Sequence, residues 1–199
     1  MKKILLLLTI LIGFSGCKAI LLRAYGFKKP NIENETSIRK MALKFGLDTA
    51  NIVSVNSKDF LPILKKGLPE GGIYDKAGNY IEYKKTDSSC NAGLFQIIPS
   101  LTLNGQYNHP DSAETLYDQF HKFRDLKGDT LAEPEPADYY VLIYWSVWTG
   151  KLNKDHVKIW EDLAKNNANC NVKVIKVNMD VQSYWDKEYQ DKIMRAFHF

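Results

Sequence analysis

Three cysteines, Cys17, Cys90 and Cys170, are the residues of this 199-residue chain whose chemistry is most directly stated. A thiolate can act as nucleophile, redox partner or metal ligand according to its neighbours. Cys90 sits in Asp87-Ser88-Ser89-Cys90-Asn91-Ala92-Gly93 with Lys84 and Lys85 upstream. That setting permits an activated thiol without requiring one, and a single-thiol oxidoreductase or peroxidase is the activity Cys90 alone would support. Cys90 and Cys170 are also the candidate disulfide, worth about 3 to 5 kcal/mol in the chain-entropy account if it forms. Spacing does not fix distance, so a disulfide and two free thiols both stay open. His109, His121, His156 and His198 show no H-x-x-x-H pattern, and no C-x-x-C is present, so no zinc site is expected. Asp75, Asn79 and Glu82 do not make a calcium loop, and no glycine-rich phosphate loop occurs. Neither metal nor cofactor is expected.

The first sixteen residues carry Lys2 and Lys3, an apolar run from Ile4 to Phe14, then Ser15 and Gly16 before Cys17. This has the parts of an export signal, and it resembles a bacterial lipoprotein lipobox, although Phe14 stands where Leu is usual. The resemblance implies cleavage before Cys17 and lipidation of that residue, and hence a membrane partner through the lipid and a place in the bacterial cell envelope, facing the periplasm. The run is short of the roughly 20 apolar residues that span a bilayer. Removing the signal leaves 25 basic against 23 acidic residues, a balance that argues against nucleic acid as a partner. Residues 17–35, mixing Lys, Pro and Asn, read as a lipidated tether. Residues 36–199 read as one domain, with a hydrophobic content of 45% to fill its core.

Those residues must be positioned by elements whose periodicity is legible. Ile38, Met41, Ala42 and Phe45 predict a helix capped by Thr36 or Ser37 and ended by Gly46. Ile52 to Val55 predicts a strand, and Ser57 to Lys66 a helix disturbed by Pro62. Gly72 to Tyr83 reads as a β-hairpin around Asp75-Lys76-Ala77-Gly78-Asn79. Residues 84–110 are the least legible; the apolar run Leu94 to Leu103, broken by Pro99, suggests a strand and a long loop. Asp111 and Glu114 read as the cap of a helix through Leu116, Phe120 and Phe123. Tyr139 to Val147 is a continuous apolar strand for the centre of a sheet covered on both faces. Thr149 then reads as the N-cap of a helix with Leu152, His156, Ile159 and Leu163 inward. Val172 to Val177 is the next strand, and Asp180 reads as the cap of a terminal helix. Strand, helix, strand makes a βαβ unit with parallel strands.

Tyr144-Trp145-Ser146-Val147-Trp148-Thr149-Gly150 resembles the Y-W-A-x-W-C-G active-site turn of the thioredoxin-like superfamily, and Val174-Ile175-Lys176-Val177-Asn178-Met179-Asp180 resembles its following strand. Thr149 and Leu152 occupy the two cysteine positions, so the dithiol chemistry is absent. Gly72 to Tyr83 is similar to the family's closing hairpin and Ile98-Pro99-Ser100-Leu101 to its proline segment, but both precede the turn. The resemblance therefore implies an α/β fold: a three-layer thioredoxin-like domain with a mixed central sheet, rearranged or permuted-like, its amino-terminal strands completing the sheet begun at Tyr139. It implies a binding or assembly module for an envelope protein or peptide, with Trp148, Thr149, Gly150, Leu152 and Pro99 around the former active-site groove. A thiol enzyme using Cys90 is the alternative.

Overall fold

The computed structural model describes residues 24–84 and 91–197. Among them are β1 (Ile32–Glu33), α1 (Glu35–Phe45), β2 (Ile52–Val55), α2 (Ser57–Leu64), β3 (Glu70–Asp75), α3 (Leu94–Ser100), α4 (Leu116–Lys122), β4 (Phe123–Arg124), β5 (Tyr139–Trp145), α5 (Ile159–Lys165), β6 (Val172–Asn178), β7 (Val181–Gln182) and α6 (Lys187–Ala196). A five-stranded mixed sheet runs β3-β5-β6-β2-β4, and β1 pairs with β7 in a separate two-stranded ladder.

The continuous apolar run of β5 is buried along its whole length, which requires cover on both faces. It runs parallel to β6 in the register Tyr139↔Val172 through Trp145↔Asn178, and β6 runs parallel to β2. The expected βαβ unit is therefore present. β3 lies antiparallel to β5, with Glu70 opposite Tyr144 and Asp75 opposite Tyr139. Two strands from the amino-terminal half, β2 and β3, thus flank the β5–β6 pair. On one face, Val141, Ile143, Trp145 and Val174 pack with α1, α3 and α5 through Ile38, Ala42, Leu94, Ile98 and Trp160. On the other, Tyr140, Leu142, Tyr144 and Ile175 pack with α2, α4 and α6 through Phe60, Ile63, Leu116 and Ile193. Each large apolar side chain so buried contributes about 1.5 to 3 kcal/mol.

The first face also buries a charge pair, Lys176 Nζ donating to Glu161 Oε1 at 2.8 Å with both residues 2% exposed or less. Desolvation lowers the Lys176 pKa against the pull of Glu161. Glu161 also accepts from the Asp48 amide, so its lone pairs are used as a buried carboxylate requires.

Several local expectations are corrected. The cap of α1 is Asn34, which accepts from Ser37 N, not Thr36 or Ser37. Thr115 caps α4 with Asp118, while Glu114 is held by Gln119 and Lys122. Asp186, not Asp180, caps α6. The run from Leu94 is a helix rather than a strand. The hairpin's return arm is reduced to a bridge between Tyr74 and Tyr80, supported by Ile81 N donating to Ile73 O at 2.8 Å. Ahead of α5, residues Asn153–Lys158 form a π-helical stretch. The wider winding rotates the inward stripe to Asn153, Val157, Trp160 and Ala164, leaving Ile159 40% exposed.

Candidate functional site

Strand β5 ends at Trp145 because Ser146 turns the chain away from the sheet, and Val147–Thr149 form a single 3-10 turn. Gly150 follows at φ 60°, ψ −125°, a backbone state that is essentially glycine's own. Thr149 is fully buried. Its Oγ1 donates to Ser146 O at 2.9 Å and sits 3.1 Å from Asn153 Oδ1, while Asn153 Nδ2 donates to the same Ser146 carbonyl at 2.8 Å. The hydroxyl is committed to closing the turn, and it neither caps a helix nor faces a base that could make it a nucleophile.

Beneath the turn lies a bed of buried polar groups. Val147 N donates to Asp180 Oδ2 at 2.8 Å, and Asn178 Nδ2 donates to the same oxygen at 2.7 Å. Gln182 Nε2 donates to Asn178 Oδ1 at 2.8 Å. Asp180 Oδ1 and Ser146 Oγ are buried without a hydrogen-bond partner. Burial pushes the Asp180 carboxyl up to about 7, against the two hydrogen bonds and with help from the nearby Glu33. A neutral acid is what an unpartnered buried carboxyl oxygen favours.

Over the turn runs the chain's own amino-terminal segment. Lys151 N donates to Tyr25 O at 2.8 Å, and Lys28 N donates to Trp148 O at 3.0 Å. A Cβ at Gly150 would stand 2.4 Å from Gly26 O and 2.5 Å from Tyr25 O, so two backbones meet where only glycine fits. Phe27 packs at 6.1 Å on one side of Trp148 and Phe197 at 5.8 Å on another. Downstream, β1 continues the strap into the ladder with β7, and Ser183 N donates to Glu33 O. Residues 24–33, expected as tether, are thus laid across the turn.

Of the expected groove residues, Trp148, Thr149, Gly150 and Leu152 are neighbours here, and Pro99 is not among them. Pro99 is exposed within α3, whose end is held by Asn167 Nδ2 bonding to Ile98 O and Leu101 O, beyond the far end of α5. Pro69 leads into β3 through a cis Leu68–Pro69 peptide. His156 stacks edge-on against Phe95 and Trp160, both at 5.7 Å. Cys170 is a free thiol whose Sγ contacts Leu101 O at 3.4 Å, and burial raises its pKa. Cys17 and Cys90 lie outside the described residues. Among those residues, no cluster of His, Cys, Asp or Glu could hold a metal ion, and no helix is long and apolar enough to cross a membrane.

No family model, curated protein or solved structure matches this chain. The strap escapes a reading of the sequence because its Lys, Pro and Asn suggest a solvated linker. The signal that could have found it is Tyr25-Gly26-Phe27, two aromatics flanking a glycine.

Proposed function

We propose that this protein is a membrane-anchored, periplasm-facing lipoprotein whose thioredoxin-like domain has exchanged dithiol chemistry for binding, and that the turn at Trp148–Lys151 grips an extended peptide. The observation that carries this reading is the strap: the turn holds Tyr25–Lys28 by backbone hydrogen bonds at both edges, with Phe27 against Trp148. Backbone pairing supplies affinity and an aromatic contact supplies selectivity, the general mode by which extended peptides are held. The occupant is the chain's own segment, so an envelope protein or peptide reaches the turn by displacing it. Support for the thioredoxin-like frame comes from the sheet: a parallel β5–β6 pair joined through a helix, β3 antiparallel beside β5, and a returning arm at Tyr80. The lipobox-like sequence ahead of Cys17 supports the anchor.

The test uses the mature protein and a labelled synthetic peptide with the sequence of residues 24–34. Gly26 has φ 72°, which proline cannot adopt, so Gly26→Pro releases the strap. The peptide binds Gly26→Pro and not the wild type. Failure to bind a variant in which the Lys28–Lys29 bond has become open to trypsin overturns the reading. Mass spectrometry of the membrane fraction tests the anchor through acylation of Cys17. Reduction of insulin disulfides that survives Cys90→Ser would sink the non-redox assignment.

A further inference from the structure

The strap and the turn beneath it carry one sign of charge. Residues 24–32 include Lys28 and Lys29, residues 147–154 include Lys151 and Lys154, and neither stretch contains an acidic residue. All four lysines are exposed, and none forms an ion pair among the described residues. The backbone brings them to one place: Lys151 N donates to Tyr25 O, Lys28 N donates to Trp148 O, and Lys154 N donates to Lys151 O at 2.9 Å. Phe197 packs on Trp148, so α6 ends beside the turn, with Arg195 exposed in its last turn. Asp155 follows Lys154 as the first acid of that stretch.

This concentration is not typical of the chain. The 25 basic and 23 acidic residues that remain after the signal give a net charge of +2, so four lysines at one end exceed the charge of the whole. Elsewhere basic residues stand among acids. Lys158, Lys165, Lys173 and Lys187 each hold a carboxylate. Lys65 and Lys66 form no ion pair among the described residues either, but they border a recess of about 590 Å³ beside β3, between the end of α2 and the residues leading into α4. Glu70 and Glu114, held by Lys84 and Lys122, belong to the same recess. At the turn no acid intervenes between the lysines of either stretch.

The place of the patch along the chain selects its partner. Ala24, the first described residue of the strap, stands seven residues after Cys17, and seven residues reach at most about 25 Å. Acylation of Cys17 therefore holds the strap within that distance of a bilayer surface, and the strap is itself fixed to the turn. A layer of anionic headgroups attracts each lysine that comes near it, raising affinity about fivefold per residue. Tyr25, 41% exposed on the strap, is of the type that settles at a membrane interface. We propose that the lysines around the strap-covered turn bind an anionic lipid surface, so that the domain stands on the membrane with this turn toward it. The inference rests on the reading of Cys17 as lipidated, which sets the distance.

The test is co-sedimentation of the mature protein carrying Cys17→Ser, which has no acyl chain, with vesicles of phosphatidylcholine alone and of equal parts phosphatidylcholine and phosphatidylglycerol. Binding to the mixed vesicles is expected, and binding to phosphatidylcholine alone is not. Each of Lys28→Gln, Lys29→Gln, Lys151→Gln and Lys154→Gln should weaken it about fivefold. Lys165→Gln and Lys173→Gln, at the other end of the β5–β6 pair, should leave it unchanged. No binding to the mixed vesicles overturns the proposal, as does equal binding to both compositions or an equal loss in the Lys165→Gln and Lys173→Gln controls. Tighter binding to polyglutamate than to the mixed vesicles also overturns it and assigns the face to an acidic protein. The probe bears no lipid, so this result is independent of the acylation of Cys17 that mass spectrometry reads.

Discussion

The turn after β5 and the recess beside β3 border the same strand end, since Tyr144 lines the recess and Ser146 begins the turn, yet they are built in opposite ways. The turn is closed. Its hydroxyl is satisfied within the backbone, and its upper surface is covered by the chain's own residues. The recess is open, with ordered donors and acceptors whose arrangement needs no ligand. A turn without thiols presents a surface of backbone groups and tryptophan, which a neighbouring segment of chain can occupy. The recess is lined by side chains of both charges from β3, the end of α2 and the residues before α4. The contrast teaches that resemblance to an active-site sequence and availability for binding are separate properties.

The largest expected effect lies in the pH dependence of the closed end. Asp180 moves from 3.8 in its ordinary state to about 7 when folded, so the folded protein keeps a proton that the unfolded chain releases between those values. The contribution of Asp180 to stability is therefore fullest below pH 4, falls as pH rises toward 7 and levels above it, for a total of about 4 kcal/mol, while Asp48, held down at about 2, acts in the opposite direction below pH 4. Urea midpoints taken across this range should show that slope in the wild type and lose it in Asp180→Asn. Parallel curves for the two proteins would remove Asp180 as the cause. Next in size, Gly150→Ala should cost about 2 to 4 kcal/mol, because it adds a Cβ against two carbonyls at a left-handed φ. Limited trypsin digestion would read it directly through faster cleavage after Lys28. Thr149→Val removes a buried hydroxyl that bridges Ser146 and Asn153, with an expected loss of about 1 to 2 kcal/mol by chemical denaturation. At the open end, Lys66→Ala, an exposed side chain that lines the recess, should alter stability by less than about 1 kcal/mol. A drop as large as that of Thr149→Val would mean that the recess is a structural element, and the contrast would dissolve.

The long elements are legible in the sequence because their hydrophobic pattern is strong. The unbroken run Tyr139 to Trp145 can only be a covered strand, and the pairing of β5 with β6 follows from one intervening helix. Apolar periodicity likewise identifies α1 through Ile38, Ala42 and Phe45. The caps are not legible where several Asx, Ser and Thr residues compete within a few positions, since only the local dihedral angles select Asn34, Thr115 and Asp186. The inward face of residues 153–165 differs by one position from its periodic reading, because a π-helical stretch changes the residues per turn without altering composition. Leu94 to Ser100 shows no clear period over seven residues, and its helical state depends on packing against Trp160 through Phe95. The strap and the recess join segments far apart in sequence, so no local pattern contains them. Asp180 is the sharpest case: its place after β6 is that of a helix cap, but the helix begins several residues later and the carboxyl turns inward to the β5 turn.

The contact of Gly26 with Gly150 gives the molecule a mechanical polarity. A load applied at the amino terminus reaches the hydrogen bonds of Tyr25 and Lys28 and the Phe27–Trp148 contact before it reaches β1, and these lie in series along the strap. They would give way in succession, as in peeling, while the ladder between β5 and β6 stayed unloaded. The strap is thus a weak link placed ahead of a strong one, and it would uncover the turn under tension before the domain itself yielded.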